Sequence, residues 1–174
     1  HLVLQTDFGL VDGAVSAMQG VAYTVAPEVT ISNLTHEIEP YNINDASYRL
    51  LQTVAYWPAK TVFVSVVDPG VGSSRRSVVA KTTAGQYIVT PDNGSLSHVA
   101  KFVGLESVKE INEEVDRLPH SEKSHTFHGR DVYVYNGAMI ADNESYYDNL
   151  SKEVSLDSIK TLEITEPELR DGTI

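Results

Sequence analysis

The 174-residue sequence contains no cysteine. That excludes disulfides, thiolate nucleophiles, iron–sulfur clusters and cysteine zinc sites together, and it suits a reducing compartment, so a cytoplasmic location is expected. Basic side chains are scarce: 13 Lys and Arg stand against 24 Asp and Glu, a formal charge of −11. A surface this acidic repels phosphate backbones and anionic lipid, so no nucleic acid and no membrane is expected as a partner. Long apolar runs are missing too. No stretch of about 18 apolar residues could span a bilayer, and the opening His1-Leu2-Val3-Leu4 has neither the basic region nor the long apolar core of a signal peptide. Repeats and low-complexity tracts are absent. What is present is 41% hydrophobic and 21% charged residues, ordinary for a folded chain, in a length that can enclose a sizeable core.

Short β-rich runs alternate with helical periods. Leu2–Gln5 reads as a strand, and residues 13–26 as a helix with Val15, Met18, Val21, Ala22 and Val25 on one face and Pro27 as its stop. Val29–Leu34 is a second strand. Asn44–Trp57 is a second helix, with Ala46, Leu50, Leu51, Val54 and Trp57 aligned. Thr61–Val67 is apolar at nearly every position, as a strand buried on both faces should be. Residues 77–82 and 86–90 flank Ala84-Gly85 as a hairpin, residues 95–103 form a helix, and Asp131–Asp142 a last one. The acid-rich stretch Glu106–Asp116 reads as a solvated connection. The pattern predicts an α/β fold, a largely parallel sheet flanked by helices, over residues 1–165. Residues 166–174 read as the start of a linker.

Ligands of open α/β sheets bind outside the carboxyl ends of parallel strands, and three polar segments stand at such positions. Thr6-Asp7-Phe8-Gly9 follows the first strand, where Asp7 is either a ligand-facing carboxylate or a turn cap. Asp68-Pro69-Gly70-Val71-Gly72-Ser73-Ser74-Arg75-Arg76 follows the most apolar strand; it lacks the Gly-Lys-Ser/Thr ending of a phosphate loop, and Asp68 with the arginines suggests an ion pair over a pocket or a structural clamp. Ser124-His125-Thr126-Phe127-His128-Gly129-Arg130-Asp131 opens the last helix with two histidines at i, i+3, without the intervening Glu of a zinc-protease motif. Pro91-Asp92-Asn93-Gly94 reads as a tight turn.

Taken together, TDFG, His36-Glu37-Ile38-Glu39-Pro40, VVDPGVG with Arg75-Arg76, PDNG and TFHGRD occur in the order and approximate spacing of one family. The chain resembles the S-adenosyl-L-methionine hydrolases, the adenosine-forming hydroxide adenosyltransferases related to the fluorinase and chlorinase, over roughly residues 2–142. The resemblance implies an N-terminal α/β domain, a C-terminal β domain not contained in this sequence, and a homotrimer with active sites between subunits. It implies that Asp68, Arg75 and His128 form a hydrolytic triad and that Asp7 binds the ribose. Tyr41 then stands where the halogenases carry a Trp beside the ribose, Phe127 lines the nucleophile pocket, and Gly129 replaces a hydroxyl residue of the halogenases. The retained triad implies hydrolysis rather than halide transfer, because a carboxylate beside the nucleophile repels an anion.

The implied reaction is attack of water or hydroxide on the ribose 5′ carbon, releasing neutral methionine from the sulfonium and leaving adenosine. No metal and no cofactor are expected, because positive charge already activates the leaving group. Arg75 cannot serve as a base, since guanidinium keeps its proton in proteins; it is expected to orient the water and stabilise developing hydroxide. Asp68 and His128 are the candidate bases. Two rival readings remain open at this point: a module that binds adenosine or S-adenosylmethionine without turnover, and a metal-dependent hydrolase built on Asp7, Asp68, His125 and His128.

Overall fold

A computed structural model describes residues 1–150 and 152–165 of the chain. The expected linker at 166–174 lies outside the described residues.

The expected alternation is present. β1 (Leu2–Thr6) and β3 (Val62–Val66) are buried at every position, because helices cover both faces of the sheet. α1 (Ala14–Val25) turns Val15, Met18, Val21 and Ala22 inward. After β2 (Ile31–Thr35), α2 (Ile43–Val54) is capped by the Asn42 side chain, which accepts from the Asp45 amide at 2.9 Å. Its buried stripe is Ala46, Leu50 and Val54, each large member contributing about 1.5–3 kcal/mol by burial. The helix ends three residues before the expected Trp57, which folds back in a turn ahead of Pro58. β4 (Ser77–Thr82) and β5 (Tyr87–Pro91) form the expected hairpin, and α3 (Ser97–Phe102) follows.

The stretch expected to be a solvated connection is a strand over its first half. β6 (Leu105–Ile111) pairs with β4 and buries Val108 and Ile111. Its charged residues concealed it: on a strand near the sheet margin Glu106 is exposed and Lys109 and Glu110 are half-buried. A π-helical turn (Gly129–Tyr133) leads into α4 (Val134–Asp142), then come α5 (Ser145–Asn149) and the short β7 (Lys152–Glu153).

The seven strands lie in the order β2-β1-β3-β5-β4-β6-β7. The first four are mutually parallel, and β4, β6 and β7 extend the sheet antiparallel. One face packs on α1 and α4 through Met18, Ala22, Val134 and Ala138; the other packs on α2 and α3 through Leu50, Val54 and Val99. α4 sits close to β3 because Gly137 has no Cβ, which would overlap a Val64 methyl. From β1 the chain goes first to one neighbour, β2, and later to the other, β3. The sheet therefore has its topological switch point between β1 and β3, and the crevice beyond their carboxyl ends is the place this architecture offers a ligand. No described helix is long and apolar enough to cross a membrane.

Candidate active site

A cleft of about 360 Å³ opens at that switch point. Asp7 and Phe8 enter it from the end of β1, Val66 and Asp68 from the end of β3, Pro40 and Tyr41 from the loop before α2, and Thr126, His128 and Gly129 from the approach to α4. Of the residues singled out in the sequence, Asp7, Tyr41, Asp68, His128 and Gly129 thus share one cavity. Arg75 and Phe127 do not line it. Phe127 packs edge-on against Phe8, with ring centroids 5.9 Å apart, and supports the wall from behind. His125 is exposed.

Local chemistry sets the two ends of the cleft. On the β1 side, the Asp7 carboxylate accepts the Tyr41 amide at 2.9 Å and holds Tyr41 in the left-handed region at φ 68°. An exposed tyrosine kept there is strained backbone at the mouth of a pocket. The preceding Thr6 fastens the same two loops. Its hydroxyl lies 2.8 Å from His36 Nδ1, and His36 Nε2 lies 3.0 Å from Asn33 Oδ1. Burial lowers the His36 pKa, outweighing the opposing charge of Glu37. The imidazole is therefore neutral, and the acceptor oxygen of Asn33 assigns its hydrogen to Nε2.

On the β3 side, Arg75 is a hub. Its Nε donates to both Asp68 oxygens at 3.0 Å, Nη2 to Asp68 Oδ2 at 2.6 Å, and Nη1 to Ser77 Oγ at 3.0 Å and to Glu113 Oε1. A guanidinium has five N–H bonds, so only one Nη2 hydrogen is left over among the described residues. Burial opposes the charge on Arg75, but its bonds to Asp68 and Glu113 outweigh that and raise its pKa. Tyr133 Oη stands 3.3 Å from Asp68 Oδ2 and 2.8 Å from Ser77 Oγ, and burial pushes its pKa well up, so it remains a donor. The loop itself is bolted down by the PDNG turn. Asn93 Nδ2 donates to the Val67 carbonyl at 2.9 Å, and Arg76 pairs with Asp92 at 2.5 Å.

Glu113 is the residue sequence reasoning missed. It lies in the stretch that reads as an acidic connection, yet its carboxylate takes Arg75 and Ser77 at Oε1 and His128 Nε2 at Oε2, the last at 3.0 Å. Register explains the meeting. Ser77 pairs with Ile111 across β4 and β6, so Arg75, two residues before the one, faces Glu113, two residues after the other. Burial works against its ionisation, but hydrogen bonds from His128, Ser77 and Arg75 outweigh this and bring the carboxyl down to about 2. The available signal was the pair Val108 and Ile111, apolar residues that a solvated connection has no use for. The other end of the Glu113–His128 link is set by the π-helical turn, which carries His128 just before it and Tyr133 at its close. Gly129 is needed here, because a Cβ would lie 2.9 Å from the Phe8 ring.

The arrangement can hold a cation and take up a proton. Among the described residues the cleft lining includes two carboxylates, Asp7 and Asp68, a histidine, and no lysine or arginine. It does not assemble the metal set considered above: among the described residues no group of three or more His, Asp and Glu is gathered as ligands.

Known proteins resemble this chain in sequence and fold. The curated (R)-S-adenosyl-L-methionine hydrolase of Methanocaldococcus jannaschii is 40% identical over 164 residues, covering 91% of this chain and 60% of that protein. Its namesake from Salinispora arenicola is 41% identical over 137 residues, covering 78% of this chain and 51% of the relative. The chain thus spans between half and two thirds of the length of these relatives. A crystal structure of an uncharacterized conserved protein from Thermotoga maritima superimposes with a TM-score of 0.88 at 33% identity, covering 98% of this chain and 64% of the other. The switch-point cleft, its loops and the strands that aim them all fall within residues 2–149, which match the SAM hydroxide adenosyltransferase N-terminal domain, and the chain belongs to that family.

Proposed function

We propose that the full-length protein hydrolyses S-adenosyl-L-methionine to adenosine and L-methionine. The observation that carries this reading is the cleft itself, where Asp68 and His128 line a cavity shared with Asp7 and, among the described residues, without a lysine or arginine. Water attacks the ribose 5′ carbon, the carbon–sulfur bond breaks, its electron pair stays on sulfur as neutral methionine, and a water proton passes to the protein. Asp7 and Tyr41 hold the ribose and Gly129 leaves room beside it. Phe127 acts through Phe8, as backing for the nucleophile pocket. Arg75 anchors Asp68 with its fork, so its part in the reaction is to fix that carboxylate and stabilise charge near it.

Acidic lining favours a sulfonium and repels a halide. The names of the two hydrolase relatives support the same substrate. A bare binding module gives no reason for Asp68 and His128 to be braced so fully. The reading includes the homotrimer that family resemblance implies and a cytoplasmic location. The exposed apolar residues Leu10, Val11, Tyr41 and Val71, from the loops that form or adjoin the cleft, support a subunit contact there.

The test is incubation of the full-length protein with S-adenosylmethionine, with and without chloride and with and without EDTA, followed by chromatography. Equal amounts of adenosine and methionine under all four conditions are expected. A halogenated nucleoside, or activity lost to EDTA and restored by a divalent ion, would overturn the proposal.

A further inference from the structure

We propose that Glu113 is the positioning residue of the site, fixing which nitrogen of His128 accepts the proton; this rests on the hydrolase reading above. The inference starts from hydrogen accounting. Glu113 receives Arg75 and Ser77 at Oε1 and stands 3.0 Å from His128 Nε2 with Oε2. An ionised carboxylate only accepts, so the imidazole hydrogen sits on Nε2. Nδ1 then carries the lone pair. It is buried and has no hydrogen-bond partner among the described residues, on a ring that is 3% exposed and borders the cleft.

A buried polar atom with nothing to bond is costly unless a ligand or water completes it. Nucleophilic water does so here. It donates to Nδ1, and as its oxygen bonds to the 5′ carbon its proton moves to that nitrogen. The resulting imidazolium has both N–H groups placed, one toward Glu113 and one toward the new hydroxyl. The charges around this pair are those of Arg75 from the loop after β3, Asp68 across the cleft, and Glu113 itself; Ser77 from β4 and Tyr133 from the π-helical turn supply hydroxyls. On its own segment, Arg117 meets Glu113 at the backbone carbonyl, at 3.2 Å, and spends its other bonds on Ser121 and Ser124.

The same accounting gives an unusual expectation for Glu113→Gln. Arg75 and Ser77 both donate at one oxygen, so the glutamine carbonyl must take that place. Its amide N–H group then faces Nε2 and requires a lone pair there. The hydrogen moves to Nδ1, and the base is lost although shape is kept. Glu113→Ala leaves the ring free to choose either tautomer.

The experiment is NMR of imidazole-labelled full-length protein together with steady-state kinetics for wild type, E113Q and E113A. Wild type is expected to hold its His128 hydrogen on Nε2, and E113Q on Nδ1. The kcat of E113Q should fall on the order of 10²-fold or more, the size of a lost general base, with KM held within about threefold. E113A should lose less than E113Q, an order that loss of packing would reverse. A wild-type hydrogen on Nδ1, an E113Q ring still carrying it on Nε2, or an E113Q kcat within about twofold of wild type would each overturn the proposal. The two readings fail separately: wild type that releases no adenosine refutes the hydrolase, while the tautomer measurement still decides the role of Glu113.

Discussion

His128 carries the heaviest demand of any single side chain. Substituting it by Asn should lower single-turnover hydrolysis by about 10²–10⁴-fold and abolish the pH dependence of the rate. Asp68→Asn should lower the plateau and keep the pH dependence, because Asp68 is tied to the permanently charged Arg75 and is proposed to orient rather than to accept. The reverse pattern, measured at saturating substrate, would exchange their roles. Asp7 differs again. The ribose contacts proposed for it would exist in ground and transition state alike, so Asp7→Ala should weaken substrate binding more than it slows bond breaking. Gly129→Ser tests crowding. The new Cβ would press on the Phe8 ring, and such overpacking costs about 1–3 kcal/mol, visible as a lower Tm and a raised KM.

Among the elements, those that aim the site differ in how openly the sequence declares them. α1 and α2 are legible because burial on one face leaves a helical period, and β1 and β3 because burial on both faces leaves short apolar runs. β6 was hidden, since a strand near the sheet margin can carry Glu106 exposed and Lys109 and Glu110 half-buried, and Glu113 was hidden with it. No local pattern announces a residue whose partners lie 36 and 38 positions away and meet it through strand register. The motif residues were readable for the opposite reason, since Asp7, Asp68 and His128 stand at strand or helix ends where polarity interrupts apolar sequence. Tyr41 was readable only by resemblance, because its φ of 68° leaves no mark in composition. Its loop gives an element-scale test through His36. Burial lowers the His36 pKa, so the unfolded chain binds that proton first. Stability from this group is complete above the ordinary value of 6.5 and is lost as pH falls through the folded value. His36→Gln should flatten that part of a Tm-against-pH curve; an unchanged slope would mean the group does not couple to folding.

For the whole molecule, charge is the governing quantity. A chain of formal charge −11 suits the cationic substrate proposed above, and it ties Arg75, Arg76 and Arg117 into internal hydrogen bonds. One of those ties links stability to acid. The Glu113 carboxyl is held at about 2 in the fold against an ordinary 4.5, so its contribution is present above 4.5 and lost as pH falls toward 2. E113Q should therefore lose less stability than wild type over that interval, read from denaturant midpoints at each pH. The central event of the proposed function is water displacing methionine at the ribose 5′ carbon. The most direct measurement is hydrolysis by the full-length protein in heavy-oxygen water, with mass spectrometry of both products. The expected result is adenosine carrying the heavy oxygen on its 5′ carbon beside unlabelled methionine; unlabelled adenosine, or release of methylthioadenosine with the label in the amino-acid fragment, would contradict it.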